Sequence, residues 1–575
     1  MTRKKTSEWV FRNEKIHKLK GKKIADAVLR VRGIIKPTDV KAFLNPSIED
    51  IQASGAIYNS DAAAKQIISA LESNKTIFIH GDYDCDGICA TAILWECLYK
   101  DAAQKVDSES KIVPYIPRRI DQGYGLSESS IDEMVQEGAD LIITVDCGVR
   151  DKDLIKSSLK SNPNLEFIVT DHHLPPEDFT VSKNYTLVHQ LHPKQKYLHS
   201  EICGSTIALL LSTTVMHKLG GSKRLSLDSP GLDLAALATI TDLMPLTGIN
   251  RTLVRSGIDL INRSPREGFK ALINIAGIKE EINEYHLGYI IGPRINATGR
   301  IGDPLEALRL LLTSSSENSK KYASKINDLN SKRQEVTEEY FNFSLESINA
   351  SSQAEQLNFV IGEDWHEGVI GLVANKLTEY YSRPSIVISK GDEIKGSARS
   401  IEGVHMTGLL EQFSDYLVKY GGHALAAGFT VKKNRFSKFK SEILAWADKN
   451  IDLESISRKL MIDLVLSIGE ISKDEVKQLE SLRPFGMKNQ KPLFLLCGVV
   501  IKNVFTMGRF KNHVKLIVTD TSGKDLECVI FDCEEDIPFL KTGEIVDLVG
   551  TLSVNSWNSS ETCQLAVKEW DISVS

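Results

Sequence analysis

Three short apolar runs in the first half of the chain each end on an acid. Thr76-Ile77-Phe78-Ile79 leads into His80-Gly81-Asp82-Tyr83-Asp84-Cys85-Asp86-Gly87, Leu141-Ile142-Ile143-Thr144-Val145 leads into Asp146-Cys147-Gly148, and Phe167-Ile168-Val169-Thr170 leads into Asp171-His172-His173. Runs of this length, bounded by glycine and polar residues, predict buried strands. A helical pattern over 88–98 follows the first run, with Gly81 and Gly87 predicting a tight turn between the two. The apolar stretch 232–240 predicts another helix, which Pro245 closes, leaving Asp242 at its end. Strand and helix patterns alternate over 51–265, so a parallel sheet with helices on both faces is expected. Such sheets bind ligands in the crevice outside the carboxyl ends of their strands. The pattern alone therefore delivers the acids to a place where chemistry is usual.

The remainder reads as four further pieces. Residues 1–50 are expected as a helical lead-in, with an apolar helical segment over 24–29 and a break at Asn45-Pro46-Ser47. Residues 266–350 are expected as a helical connector, because Ile326, Leu329, Val336 and Tyr340 recur at helical spacing in a charged background. Residues 351–454 predict a smaller α/β domain, with strands over 357–362 and 385–389, a helix over 368–381 and a glycine-rich end from Tyr420 to Gly428. Over 455–575 short strands alternate with turns, as at 514–518 and 544–549, which predicts a small barrel of the oligonucleotide-binding (OB) type. The fold class is thus multidomain α/β with a C-terminal β-barrel.

Composition narrows the class. The chain has 575 residues, enough for roughly three to five domains, with 42% hydrophobic and 25% charged content. No uncharged apolar run reaches bilayer length, and the basic N-terminus has no apolar segment behind it, so neither a membrane role nor a secretory signal is expected and the cytoplasm is the expected location. Nine cysteines without a Cys-x-x-Cys pair read as reduced, mostly buried thiols. A net charge of -6 gives no global pull toward nucleic acid, although a local basic groove would suffice for binding. Taken singly, each acid after a strand fits the N-cap of the next helix. Four such sites with interleaved histidines fit a divalent-metal centre, and carboxylate with imidazole favours Mn2+ or Mg2+ over a thiolate zinc site or an all-oxygen calcium site.

These segments, together with Thr241-Asp242-Leu243-Met244-Pro245-Leu246, Gly292-Pro293-Arg294-Ile295-Asn296-Ala297-Thr298-Gly299-Arg300, Gly396-Ser397-Ala398-Arg399-Ser400 and Gly421-Gly422-His423, occur in an order that resembles the RecJ family, a branch of the Asp-His-His (DHH) phosphoesterase superfamily. The resemblance spans most of the chain. It implies a DHH domain over 51–265, a DHH-associated domain over 351–454 and an OB domain over 455–575. It also implies 5′-to-3′ removal of mononucleotides from single-stranded DNA in repair and recombination, in concert with a helicase and a single-strand-binding protein, by a monomer. Carried over residue by residue, His80, Asp84 and Asp146 hold one of two ions, and Asp86, Asp146, His172 and Asp242 the other. Asp82, Asp171 and His173 are then close catalytic supports that orient ligands or touch the scissile phosphate.

Within the same resemblance, Arg294, Asn296, Arg300, Ser397, Arg399, Gly421, Gly422 and His423 contact the substrate, the planar guanidinium forks suiting phosphate oxygens. In the barrel, Phe505, Phe510, Trp557 and Trp570 are candidate stacking platforms, beside Lys502, Arg509, Lys511 and Lys515 for the backbone. Two positions depart from the family pattern: His192 precedes a proline where asparagine is usual, and Lys488 stands where glycine is usual. Two other functions remain open, a small-substrate phosphodiesterase acting on nano-RNA or cyclic dinucleotides and a catalytically inactive DNA-binding scaffold. The extra barrel weighs against the first and the complete set of acids against the second.

Overall fold

The structure is a computed structural model and describes the chain apart from residues 1–6, 16, 20, 50, 52–55, 119–124, 177–183, 196–198, 200, 223–224, 351–355, 454–458, 510, 558–559 and 574–575. The chain divides into two compact units, residues 47–456 and residues 1–46 together with 457–575. The N-terminus contributes strand β1 (Glu8–Phe11) and helices α1 (Ile24–Val31) and α2 (Pro37–Leu44) to the second of these.

The larger unit begins with helix α3 (Ser60–Glu72) and a sheet of five parallel strands in the order β3-β2-β4-β5-β6. These are β2 (Ile77–Gly81), β3 (Ile112–Tyr115), β4 (Leu141–Val145), β5 (Glu166–Asp171) and β6 (Tyr185–His189). Alternate residues feed two cores. Ile77, Ile79, Leu141 and Ile143 pack with α4 (Cys85–Trp95), α7 (Gly204–Lys218) and α8 (Leu232–Thr241), whereas Phe78, Ile142, Phe167 and Val169 pack with α5 (Glu128–Gln136) and α6 (Lys152–Ser161). Burial on both faces is why β2 and β4 read as unbroken apolar runs. The chain leaves β2 for β3 on one side and then returns to place β4 on the other. This reversal puts a switch point between β2 and β4, at the strand ends that carry the acids.

Helices follow: α9 (Gly248–Arg263), α10 (Glu267–Ile275), a π-helical turn His286–Ile291 running into α11 (Gly292–Ile301), α12 (Pro304–Leu312) and α13 (Ser316–Asn349). Helix α13 has 34 residues and spans about 50 Å. Beyond it β7 (Asn358–Glu363), α14 (Glu367–Tyr381), β8 (Ser385–Lys390), β9 (Ile394–Arg399), α15 (Met406–Gln412), β10 (Leu417–His423), β11 (Ala426–Val431) and α16 (Phe436–Asn450) build a mixed sheet in the order β10-β11-β9-β8-β7. Helix α14 and the end of α13 cover one face and α16 the other. Among the described residues no helix is long and apolar enough to cross a membrane.

In the smaller unit β12 (Lys459–Ile462) pairs in parallel with β1. After β13 (Leu464–Val465) and α17 (Lys473–Gln478), strands β14 (Phe494–Met507), β15 (His513–Thr519), β16 (Asp525–Ile530), β17 (Ile545–Trp557) and β18 (Ser560–Ile572) close into a five-stranded barrel, as expected. The N-terminal segment differs from a purely helical lead-in. It supplies a strand to β12, and α1 inserts Ile24, Val28 and Leu29 into the barrel core. A four-residue strand whose partner lies some 450 residues downstream leaves no local signal. Lys488 sits at φ +57°, so the tight turn between Gly486 and Asn489 is kept here without glycine. His192 stacks on Tyr58 with ring centroids 4.1 Å apart, which occupies the position where asparagine is usual.

Asp463 joins the N-terminal segment to the barrel unit. Its carboxylate, 1% exposed, accepts from Arg12 Nε at 3.1 Å, Arg32 Nε at 2.9 Å and the Leu493 amide at 3.1 Å. Removing it leaves two guanidiniums facing one another without a counter-charge, so Asp463→Ala is expected to lower stability by about 3 kcal/mol. Chemical denaturation reads this directly, and an unshifted first transition would show that the junction is held by apolar packing alone.

Candidate metal centre

The three aspartates after β2 are arranged by helix α4. Asp84 is its N-cap, and its Oδ1 accepts from the amides of Asp86 at 2.9 Å and Gly87 at 3.1 Å, so the helix begins three residues earlier than its apolar pattern suggests. Gly81 and Gly87 serve close approach. A Cβ on Gly81 would overlap Thr91 Oγ1, and one on Gly87 would overlap the Asp82 backbone. Asp146 leaves β4 at φ +61°, a left-handed conformation that non-glycine residues rarely adopt, and Leu243 does the same at +55° just after Asp242 at the end of α8.

These turns bring distant residues together. Candidate ligand atoms of Asp82, Asp84 and Asp146 lie within 4.8 Å of one another, as do those of Asp86, His172 and Asp242, and those of Asp146, His172 and His173. His172 Nε2 is 3.1 Å from Asp146 Oδ1, 3.5 Å from Asp242 Oδ2 and 3.8 Å from Asp86 Oδ2. Neither Asp146 Oδ1 nor Asp242 Oδ2 is placed to form a hydrogen bond, and both are buried. His80 lies outside these groups but has a buried Nε2 without a hydrogen-bond partner. Burial pushes its pKa down to about 4, which keeps the ring neutral.

Burial, compounded by neighbouring carboxylates, pushes Asp84 and Asp146 upward and Asp242 up to about 9. So many acids at one buried point, with unsatisfied oxygens and a neutral imidazole, fit divalent cations that would supply the missing positive charge. Asp171 differs. Burial opposes its ionisation, but hydrogen bonds from His173 Nδ1 at 2.8 Å, the Val149 amide at 3.0 Å and the amides of His172 and His173 bring its pKa down to about 2. Its oxygens are engaged in orienting the two histidines. Against its own burial, His173 is raised by Asp171.

Two features here escape a reading of the apolar pattern. The first turn of α7 grips Asp86: the amides of Gly204 and Ser205 donate to its two carboxylate oxygens at 2.7 and 2.8 Å, and Ser205 Oγ donates to its carbonyl at 2.9 Å. A Cβ on Gly204 would lie 2.6 Å from Asp146 Cβ and 2.7 Å from its Oδ1, so the glycine also makes room for the Asp146 carboxylate. The only local signal is a Gly-Ser pair opening an apolar helix. Cys147 Sγ lies 3.5 Å from His80 Nδ1, a contact that leaves the buried Nε2 as the ring nitrogen without a hydrogen-bond partner, and Tyr115 stacks on the imidazole at 5.4 Å.

The later motifs separate into distinct places. Asn296, expected at the substrate, instead accepts the Cys85 amide at 2.8 Å, tying α11 to the first residue of α4. Gly299 packs on the Tyr83 carbonyl and Gly292 on Thr241, where a Cβ would overlap either neighbour. The motif is thus largely a docking element for the acid-bearing loops. Arg300 Nη1 donates to the Gly368 carbonyl at 3.3 Å, and a Cβ on Gly371 would lie 3.0 Å from Arg399 Nη2 and 3.1 Å from Ser397 Oγ. Arg300, Ser397 and Arg399 therefore gather at the start of α14. Arg294 turns to α13, with Nε 3.2 Å from Asn327 Oδ1. His423, on the exposed edge strand β10, lies close enough to the centre that burial, together with the charges of His173 and Arg150, lowers its pKa. Gly422, paired with Ala427 of β11 at φ +144°, lies where a Cβ would overlap the Ala426 carbonyl, whereas Gly421 presents bare backbone.

In the smaller unit Trp570 is a core residue, 1% exposed, and its Nε1 donates to Asp536. It is not a stacking platform, because the barrel interior takes large aromatics first. Phe505 is half exposed, and Phe531, absent from the sequence reading, is 59% exposed beside His513. Phe510 and the Trp557 side chain lie outside the described residues. Lys502 and Lys515 are paired with Asp525 and Glu527 on their own sheet, and Arg509 and Lys511 are exposed.

Three stretches match known families: residues 76–239 the DHH family N-terminal domain, 353–449 the DHHA1 domain and 462–569 the RecJ OB domain. The single-stranded-DNA-specific exonuclease RecJ of Bacillus subtilis (strain 168) is 32% identical over 551 residues, 95% of this chain and 68% of that protein. Crystal structures of RecJ from Thermus thermophilus in complex with Mn2+ and with Mg2+ match with TM-scores of 0.79 and 0.75 at 28% and 27% identity, covering 95% and 96% of this chain and 76% and 74% of theirs.

Two outcomes follow from the geometry. Gly204→Ala drives a methyl into the Asp146 carboxylate and is expected to weaken Mn2+ binding about tenfold or more by calorimetry, with circular dichroism unchanged; wild-type affinity would show that the clash is relieved elsewhere. The raised carboxylates hold protons that a cation must displace. An acid raised in the folded state loses stability as pH climbs from its unfolded value toward its folded one, about 9 for Asp242, and the cation restores that loss. Mn2+ should therefore raise the melting temperature more at pH 8.5 than at pH 6, and equal shifts would contradict the proton competition.

Proposed function

This chain belongs to the RecJ family, and on that premise we propose that it is a divalent-metal-dependent exonuclease that releases mononucleotides from the 5′ end of single-stranded DNA. The observation that carries the reading is the convergence, at the switch point between β2 and β4, of acids and histidines from segments up to about 160 residues apart, with buried oxygens and an imidazole nitrogen left unsatisfied. His80, Asp84 and Asp146 would hold one ion, with Asp82 beside them, and Asp86, Asp146, His172 and Asp242 the other. When bound, Mn2+ or Mg2+ lowers the pKa of an attacking water and offsets charge building up on the phosphate.

The chain's own groups do the rest. Asp171 fixes His173 through Nδ1 and favours its protonated form, so that Nε2 donates to a phosphate oxygen beside the acids. The amides of Gly204 and Ser205 keep Asp86 in place, and Cys147 orients His80. Arg300, Ser397 and Arg399 at the start of α14 receive a substrate phosphate, with Gly421, Gly422 and His423 on β10 lining the approach. A cleft walled by the two sheets of the larger unit admits an unpaired strand and excludes a duplex. Phe505 and Phe531 with Arg509 and Lys511 give the barrel a base-stacking, phosphate-binding surface.

We assign residues 51–265 to the DHH domain, 266–350 to the helical connector, 351–454 to the DHH-associated domain and 455–575 to the OB domain, with residues 1–50 ahead of them. Work on single strands in repair and recombination places a helicase upstream and a single-strand-binding protein alongside, with the enzyme acting as a monomer in the cytoplasm. Asp146→Ala and Asp84→Ala are each expected to reduce Mn2+-dependent release of mononucleotides from a 5′-labelled single strand by about a thousandfold or more. The assay includes 3′-labelled strand, duplex and dinucleotide. Near-wild-type hydrolysis by either variant, or equal attack on duplex, would reject the function.

A further inference from the structure

Two arginines meet where α11 crosses α13, away from the gathering of Arg300, Ser397 and Arg399. Arg294 comes from α11 and Arg333 from α13. Arg294 Nε donates to Asn327 Oδ1 at 3.2 Å and its Nη1 to the Ile290 carbonyl at 2.8 Å. Arg333 Nη2 donates to Asn330 Oδ1 at 2.9 Å, and its Nε is buried with no hydrogen-bond partner. Asn327 and Asn330 are three residues apart, hence on one face of α13, so both guanidiniums are drawn to the same stripe of that helix.

Among the described residues neither arginine is in an ion pair. Burial lowers the pKa of Arg294, and burial with the Arg294 charge lowers that of Arg333, as expected for like charges brought together without an anion. Purely structural arginines in a helix crossing are usually matched by a carboxylate, because an unmatched pair costs both desolvation and repulsion. Neutral asparagines orient these two while leaving their charge unanswered. The opposite face of α11 touches Tyr83, Cys85 and Thr241, neighbours of the candidate metal ligands, so a group held here lies one helix from the centre.

We propose that Arg294 and Arg333 together bind a single phosphodiester of the DNA strand, a second phosphate station separate from the one at the start of α14. The inference rests on the proposed single-strand substrate and adds to it that the strand is gripped at an internal phosphate by the connector helix. Two planar forks on one phosphate provide several charge-assisted hydrogen bonds from their terminal nitrogens. Strands too short to reach both stations would be held by one alone.

The test measures binding of a cleavage-resistant, 5′-phosphorylated single strand of about 20 nucleotides by fluorescence anisotropy against salt. Each phosphate contact on a single strand contributes a slope of about 0.7 in log K against log salt. Arg333→Gln and Arg294→Gln are each expected to lower the slope by about that amount, and the double variant by no more than either single, because one phosphate is lost in every case. Arg333→Lys should restore most of the slope, and KM for the long strand should rise at least about fivefold more than KM for a dinucleotide. Unchanged Mn2+ binding and circular dichroism in the variants exclude misfolding as the cause. Slopes that add in the double variant, or no change in slope, would overturn the shared station. A melting-temperature rise with inorganic phosphate that Arg333→Gln abolishes, while strand binding is unaffected, would overturn it in favour of a free-anion site. If the wild type fails to hydrolyse single strands yet shows the paired slopes, the catalytic reading falls and the station stands.

Discussion

Carboxylates that repel one another are held at a single buried point because backbone amides grip several of them before any cation arrives. Asp84 is held by the first amides of α4, Asp86 by the first amides of α7 and Asp171 by the amides of Val149, His172 and His173. Two of these grips are helix N-termini, where unsatisfied N–H groups and the helix dipole both favour negative charge. Among the described residues Asp146 and Asp242 have no comparable set of donors to their side chains, and burial with neighbouring charge favours their protonation. The centre is therefore part rigid anion and part proton reservoir, an arrangement that a divalent cation completes.

Close approach is the second condition, and glycine supplies it. Gly87 lets the start of α4 lie on the Asp82 backbone, Gly204 lets α7 lie on Asp146, and Gly299 lets α11 lie on the Tyr83 carbonyl. The acid-bearing loops are thus clamped from three directions by helices whose own residues carry none of the acids they press on. Asn296 belongs to this clamp through its bond to Cys85, which explains a polar side chain in a motif otherwise expected to face substrate. Arginines and helix-docking residues alternate along one short helix, and residue chemistry alone does not tell their surroundings apart.

The long α13 links both sheets of the larger unit: its early part packs with α10 and α11, and Phe341 near its end enters the core beneath α14. It also carries Arg333, which meets Arg294 of α11. In the smaller unit the barrel encloses Trp570 and leaves Phe505 and Phe531 outside, so aromatic residues that look equivalent in sequence divide into core and surface by their position relative to the closed sheet.

Much of this was legible in the chain itself. Periodicity revealed the parallel sheet and the barrel, because an apolar run buried on both faces and a series of short strands between turns each have a characteristic local pattern. Residue type and order identified the acids and histidines, because carboxylate and imidazole are the groups that hard cations require. Local pattern could not show that β1 would pair with β12, that Asn296 would face Cys85, that Arg294 would part from Arg300, or that Gly204 would shape the space of Asp146. Each depends on which surfaces meet across long stretches of chain. Sequence therefore specified the chemical groups and the elements that carry them, and the tertiary structure decided which groups face one another, because contact between elements depends on their packing and leaves no periodic trace along the chain.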